Sequence, residues 1–462
     1  MLNYIWLGLM VCAVVIGGWN GQLKEVADKA LEMANTAVVG IALALVGVMA
    51  LWLGIMRLAE RAGLVALLAR ALRPLMRRIF PEVPPEHPAM GSMLMNIAAN
   101  MLGLGNAATP LGLRAMKDLE SLNPRPGTAT NAMCTFLAIN TSGIQLIPVT
   151  AIAILAANKS TNPTAIVGTS IICTACAAVS GVAMAKFLST LPGFRQTAVS
   201  ELIGSRDDET RIHEQKSQSL LTSAPTNTNQ EKPAVKEAAT LQPMKWWGRA
   251  MIAGFLLFFG FLFLRIIFPD VFGGAIAADN ARQNLFIRIV GAVSLLAIPF
   301  ILAMFPLYAA LRRVNVYEEF VDGAKEGFDV AIRIIPYLVA MLVAVGMFRA
   351  AGGIDLLSRA LSPVLNLIGF PTDLLPMVLV RPLSGSGSLG FFTELVKQFG
   401  PDSLIARTAG TIYGSTETTF YVLAVYFGSV AVKRTRHALL AGLTADFVSV
   451  VVAVIVCRIV FG

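Results

Sequence analysis

An all-α polytopic membrane protein is the fold class this sequence predicts, and three observations predict it. Of the 462 residues, 56% are hydrophobic and only 14% charged, whereas soluble domains carry about 25% charged residues. Apolar runs recur at close to the ~20 residues a helix needs to cross hydrocarbon, and mean hydropathy is +0.69. The two halves of the chain also repeat one order of apolar, amphipathic and Gly-broken segments.

The first element is "LNYIWLGLMVCAVVIGGW", about 2–19. It has no basic n-region and no clear cleavage site, so it reads as a retained helix rather than a signal peptide. A span follows at about 36–56, then an amphipathic stretch at about 62–80. An apolar but broken region comes next, about 89–116, containing "GLGNAATPLGLRAM". That stretch is too rich in small residues to fill a core and too polar for a lipid-facing helix. Spans at about 128–157 and 164–188 complete a first membrane half, 1–192.

Residues 193–244 are polar, charged in both signs and poor in aromatics, which is the composition of a disordered linker. Residues 245–284 hold an additional linking span, about 246–268. The second membrane half, 285–462, has spans at about 285–310, 334–350, 408–430 and 437–461. It also has an amphipathic stretch at 353–369 and a broken region at 372–399.

The net charge of +9 fits cytoplasmic loops, which collect Lys and Arg. It does not fit nucleic acid, because no basic face interleaved with aromatics occurs. Arg57, Arg61, Arg70, Arg73, Arg77 and Arg78 place the end of the second span in the cytoplasm. Counting onward puts the N-terminus, the linker, Arg312, Arg313, Lys433, Arg434 and Arg436 there too, and the C-terminus outside. Arg349 and Arg359 dissent.

"AGLVALLARALRPL" (62–75) and "AGGIDLLSRALSPV" (351–364) align without a gap. Ala62, Gly63, Leu67, Leu68, Arg70, Ala71, Leu72 and Pro74 match Ala351, Gly352, Leu356, Leu357, Arg359, Ala360, Leu361 and Pro363. Each half then carries a broken hairpin and a span with a polar centre. By the charge count the first hairpin enters from the cytoplasm and the second from outside. The predicted architecture is therefore two inverted-topology repeats, each with a re-entrant helical hairpin and an amphipathic helix. Paired interrupted segments of this kind point to a transporter site near the bilayer midplane.

Irregular backbone at membrane depth is tolerated only where protein or a watery cavity surrounds it. Asn106 and Thr109 in the first hairpin, and Ser384, Ser386 and Ser388 in "RPLSGSGSLG", are the candidate binding residues of the breaks, with Pro110 as a helix breaker. Asn140, Thr141, Ser142 and Gln145 form the polar centre of "AINTSGIQLIP", and Ser415, Thr416 and Thr418 that of "IYGSTETTFYVLAV". Interhelical hydrogen bonding is the competing reading for all of these.

Glu417 stands out, because an intramembrane carboxylate is costly and is by default a functional hypothesis. It is a coupling residue or a partner for Arg381, whose own alternative is snorkelling to the interface. Glu394, at the end of the second hairpin, reads as facing water, and Asp446 is a weaker candidate or a partner for a nearby Lys or Arg. Cys173 and Cys176 read as packing thiols before a metal or redox pair. With no HExxH, GxSxG or P-loop in the sequence, catalysis, cofactors and metal ligands are not expected.

At these residues the chain resembles a known family. "FPEVPPEHPAMGSMLMNIAANMLGLGNAATPLGLRAMKDLESLN" with "FLAINTSGIQLIPVTAIAI" is similar to spore maturation protein A. "YEEFVDGAKEGFDVAIRIIPYLVAMLVAVGMFRAAGGID", "LVRPLSGSGSLG" and "YGSTETTFYVLAVYFGSV" are similar to spore maturation protein B. The resemblance covers about 1–190 and 285–462 and looks like a fusion of the two. It implies the Gate, or nucleoside-recognition, domain and a bacterial inner membrane location. That domain is similar to parts of nucleoside and ferrous iron transporters, and it names no substrate by itself.

The expected function is thus a secondary transporter or channel for a small polar or charged solute, with a midplane site between two hairpins. The alternative is a non-transporting membrane scaffold or regulator of envelope or spore maturation. The expected partners are the lipid bilayer and a small solute, nucleoside-like by analogy only. A homo-oligomer is compatible with either reading.

Overall fold

The computed structural model describes residues 2–103, 105–192, 194, 244–272, 284–353, 356, 359 and 370–462. A few helix positions, Asn106 among them, are described by backbone alone. Residues 195–243 of the linker and most of the amphipathic stretch 353–369, with its half of the sequence repeat, therefore lie outside the described residues.

Described residues are almost entirely helical, and none forms a strand beyond one isolated bridge between Thr128 and Arg434. The first half comprises α1 (Leu2–Trp19), α2 (Leu23–Asn35), a π-helical segment (Thr36–Ala42), α3 (Leu43–Arg61), α4 (Leu64–Ile79), α5 (Pro88–Met101), α6 (Gly105–Glu120), α7 (Asn131–Thr141), α8 (Val149–Ala157) and α9 (Ile166–Thr190). After the linker come α10 (Trp246–Ile267), α11 (Leu285–Leu311), α12 (Val316–Ala350), α13 (Leu375–Val380), α14 (Gly385–Phe399), α15 (Leu404–Ser415), α16 (Thr419–Gly428) and α17 (Ala438–Phe461). Among the described residues, four segments are long and apolar enough to cross a membrane as single helices: Pro163–Thr190, Trp246–Ile267, Leu285–Leu311 and Ala438–Phe461.

The amphipathic helix expected at 62–80 is α4, whose Val65, Ala69 and Met76 are buried while Arg70, Arg77 and Arg78 are exposed and Arg73 is half-buried. The span expected at 36–56 is the second part of a longer helical run that begins at Leu23, because the amphipathic "LKEVADKALEMAN" is helical too. Similarly, the span expected at 334–350 is the end of α12, 35 residues long, which makes it about 52 Å. Its acidic first half is what hides it from a hydropathy scan. There Glu319 accepts from Arg57 Nε at 2.8 Å and from Arg61 Nε at 3.2 Å, and Glu326 from Arg57 Nη1 at 2.7 Å. Close approach of α12 to α3 depends on small residues: a Cβ on Gly327 would sit 2.6 Å from the Ala50 backbone.

The basic loops gather at one end. Ala129 N donates to Arg434 O, Lys433 N to Gly127 O, and Arg436 Nη1 to Asn131 Oδ1 at 2.8 Å. Asn131 in turn reaches Glu82, in the loop where Glu86 meets Arg73. At the far end of α12, Arg349 pairs with the buried Glu394 at 3.0 Å. Beyond α14 on the same side, Asp402 accepts from Ser160 Oγ at 2.6 Å and from the backbone and hydroxyl of Thr161 at 2.9 Å. Burial pushes the Asp402 carboxyl up, but these bonds and Arg407 outweigh it and hold the group well below the usual carboxylate range.

Candidate functional site

Where hydropathy marks two broken regions, the described residues hold four. The expected breaks are present between α5 and α6 and between α13 and α14. The first is made by Gly103 in the left-handed conformation (φ 75°), which suits a helix end. Pro110 does not break the chain, since it lies inside α6. Neither polar-centred span is continuous. The first ends at Thr141 and restarts at Val149, and the second ends at Ser415 and restarts at Thr419. Gly143 (φ 56°) and Pro148 mark the first of these interruptions in the sequence.

Interrupted helices leave backbone N–H and C=O groups without intrahelical partners. Here those groups satisfy one another across breaks. Leu146 N donates to Met101 O at 3.0 Å, Glu417 N to Thr141 O at 3.1 Å, and Phe420 N to Pro382 O at 3.0 Å. These three bonds link all four breaks in a row. Thr174 Oγ1 adds donation to the carbonyls of Ser142 and Gly143. The approach is close enough that a Cβ on Gly143 would lie 3.0 Å from the Thr416 carbonyl carbon.

Arg381, 4% exposed, neither snorkels nor pairs with Glu417. Its Nε donates to Thr416 Oγ1 at 3.0 Å and its Nη2 to Tyr413 O at 2.9 Å and to Thr416 O. The guanidinium lies 4.4 Å from the centroid of the Tyr413 ring. It therefore caps the C-terminal end of α15, where helix carbonyls favour a cation. Glu417 accepts from Gln145 Nε2 at 3.3 Å. Asp446 takes no basic partner either: it is 5% exposed and accepts from Thr419 Oγ1 at 2.6 Å.

A polar cavity of about 150 Å³ lies against the breaks, lined chiefly by Gln145, Pro148, Thr150, Arg381, Glu417 and Thr418. Of the expected site residues it brings together Gln145, Arg381, Glu417 and Thr418. The others do different work. Asn140 accepts from Asn100 Nδ2 at 2.9 Å and Tyr426 OH at 3.2 Å, which joins α7 to α5 and α16. Asn96 extends that buried network to Ala108 O at 2.8 Å. Asn96, Asn100 and Tyr426 escaped the sequence reading, although two amides four residues apart in "MNIAANM" were a visible signal.

Thr141 and Ser142 bond to carbonyls of their own helix, and Ser415 to Ser449. Ser384 caps α14 by accepting from Gly387 N, Ser386 lies beside it, and Ser388 bonds to Gly385 O. Thr416 is held by Arg381, and Thr109 does not line the cavity. The Asn106 side chain lies outside the described residues. Cys173 is a buried free thiol and Cys176 a half-buried one, and no metal-holding cluster of His, Cys, Asp or Glu occurs among the described residues.

Comparison with known proteins places this geometry in context. The profile of the Gate family, described as nucleoside recognition, matches residues 42–191 and 331–433. Spore maturation protein B of Bacillus subtilis (strain 168) is 46% identical over 175 residues, covering 38% of this chain and 98% of that protein. Spore maturation protein A of the same organism is 43% identical over 187 residues, covering 40% of this chain and 95% of that protein. Inner membrane protein YjiG of Escherichia coli (strain K12) is 27% identical over 128 residues, covering 28% of this chain and 76% of that protein. No solved structure matches.

Proposed function

Because the chain belongs to the Gate, or nucleoside-recognition, family and joins in one membrane protein regions similar to spore maturation proteins A and B, we propose that it is a secondary transporter or channel for a small polar or charged solute. The observation that carries this reading is the meeting of three helix breaks at a polar cavity lined by both Arg381 and Glu417, with the α5–α6 break bonded to them through Leu146 N and Met101 O. Interrupted helices supply binding groups from the backbone, and sites of this type sit where two repeats meet. An intramembrane carboxylate beside such a cavity is hard to justify by packing alone.

The arrangement of ends supports inverted repeats. The α5–α6 hairpin leads into the 121–130 loop, which is bonded to the basic 431–436 loop. The α13–α14 hairpin leads into Asp402 at the other end. With the basic end in the cytoplasm, the two hairpins are re-entrant from opposite sides, and the solute site lies beside the second of them, against the interrupted α7–α8 and α15–α16 segments. The scaffold alternative rests on the linker, which lies outside the described residues.

The test is uptake into proteoliposomes of a panel of nucleosides, small acids, amino acids and metal ions, with wild type and Glu417→Gln side by side. At least one solute is expected to enter about tenfold faster than into protein-free vesicles. Glu417→Gln should lose that uptake while retaining the thermal unfolding midpoint. Failure of every solute to exceed protein-free vesicles, or wild-type uptake by Glu417→Gln, would refute transport through this site.

A further inference from the structure

Both charged groups on the cavity wall have a vacant hydrogen-bonding atom. All the bonds of Arg381 go through Nε and Nη2, which leaves Nη1, close to Gly385, another residue of the cavity lining. Glu417 uses Oε1 for Gln145 and leaves Oε2. The two side chains line one cavity and form no ion pair with each other. Opposite charges that share a small enclosure without touching are expensive where dielectric is low. The arrangement is relieved by an occupant that carries both charges itself.

The rest of the wall supplies groups for both charges. The first turns of α8 at Thr150, of α14 at Gly385 and of α16 after Thr418 line it, and helix N-termini favour an anion. Gln145 gives one N–H to the carboxylate of Glu417 and keeps its carbonyl as an acceptor. The cavity thus holds partners for a carboxylate and for an ammonium group.

Size narrows the class further. A cavity of about 150 Å³ is comparable to one that holds a single benzene molecule. It is too small for a nucleoside with its base and ribose.

Building on the transport reading, we propose that the solute is a small zwitterion of about the size of alanine, its carboxylate at Arg381 Nη1 and its ammonium at Glu417 Oε2. Nothing covalent is involved; recognition is two charge-assisted hydrogen-bond clusters within one cavity.

The experiment uses four solutes matched in heavy-atom count: alanine (zwitterion), lactate (anion), alaninamide (largely cation at neutral pH) and lactamide (neutral). Uptake of each by full-length protein in proteoliposomes is measured alongside a nucleoside. Alanine is expected to exceed each of the other four about tenfold or more. Glu417→Gln should bring alanine down to the level of lactate, and Glu417→Asp should recover part of the preference. Because Arg381 also holds backbone carbonyls, its variants are left out of the comparison.

Lactamide entering as fast as alanine would overturn the proposal, and so would lactate or alaninamide doing so. Uptake of the nucleoside but not alanine would overturn it while leaving transport intact. If none of the solutes in either panel enters, both readings fall.

Discussion

Replacing Arg381 by Met removes the guanidinium and keeps an unbranched stem in the same buried space. Three acceptors lose their donor: Tyr413 O, Thr416 O and Thr416 Oγ1. A hydrogen bond to a charged group contributes about 1.5–3 kcal/mol. Thr416 Oγ1 keeps its own donation to Ile412 O at 2.8 Å, so it is discounted, and the two carbonyls give about 3–6 kcal/mol. Contact with the Tyr413 ring adds about 0.5–2 kcal/mol. Relief from burying a cation offsets several kcal/mol. The net expectation is a loss of about 3 kcal/mol, or more than about 100-fold in the folded-to-unfolded ratio. Arg381→Lys keeps the charge but not the planar fork, so it should recover about half. The assay is equilibrium unfolding of the purified protein in mixed micelles, followed by circular dichroism. A Met variant within about 1 kcal/mol of wild type, or a Lys variant equal to it, would refute the capping role.

Three further outcomes are expected. Gly143→Ala should destabilise by more than about 2 kcal/mol, since a left-handed backbone costs an alanine about 1–2 kcal/mol and its Cβ presses on the Thr416 backbone. The control Gly254→Ala, with open space around it, should be neutral or slightly stabilising, and equal effects at the two sites would contradict the packing described. Asp402→Asn tests the loop clamp through pH. The native carboxyl is held below its ordinary value, so its contribution is complete above the usual carboxylate range and fades as pH falls through the lowered value. The gap in unfolding midpoint between wild type and variant should hold from pH 8 to about 5 and shrink below about 4; a gap that widens on acidification would overturn the clamp. Single cysteines at the exposed Ser121 and Gln398, with the five native cysteines replaced, should label from opposite faces of a sealed vesicle, and labelling from one face would rule out the inversion.

Apolar length and charge placement were enough to locate most helices, the α4 amphipath and the breaks between α5 and α6 and between α13 and α14. What hydropathy could not register was backbone continuity. "AINTSGIQLIPVTAIAI" averages as one crossing, yet Gly143 and Pro148 divide it. "YGSTETTFYVLAVYFG" contains no proline at its interruption; there the three-residue stretch Thr416–Thr418 turns aside because its partners are Arg381 and Thr141. Those partners are distant in sequence, so no local pattern announces them. The same holds for the acidic half of α12, which is helical because Arg57 and Arg61 of α3 neutralise it. Polar residues could be recognised as polar and intramembrane, but whether each served the cavity or the helix contacts depended on rotamers and neighbours. Asn140 and Gln145, five residues apart, went to different tasks for that reason.

The three backbone bonds that run from Met101 through Leu146, from Thr141 to Glu417, and from Phe420 to Pro382 bear on how such a site would open. No break can shift alone without stranding a peptide group in a medium that offers no water to replace its partner. At about 1 kcal/mol net for each hydrogen bond, parting two of them holds an open form to a few per cent of the population, whereas parting all three together adds little further penalty if the same water-filled opening satisfies every freed group. Motion is thereby favoured in which the two hairpins and the two interrupted crossings disengage as a unit, so that the central contacts act as a latch with a single release rather than as four independent hinges.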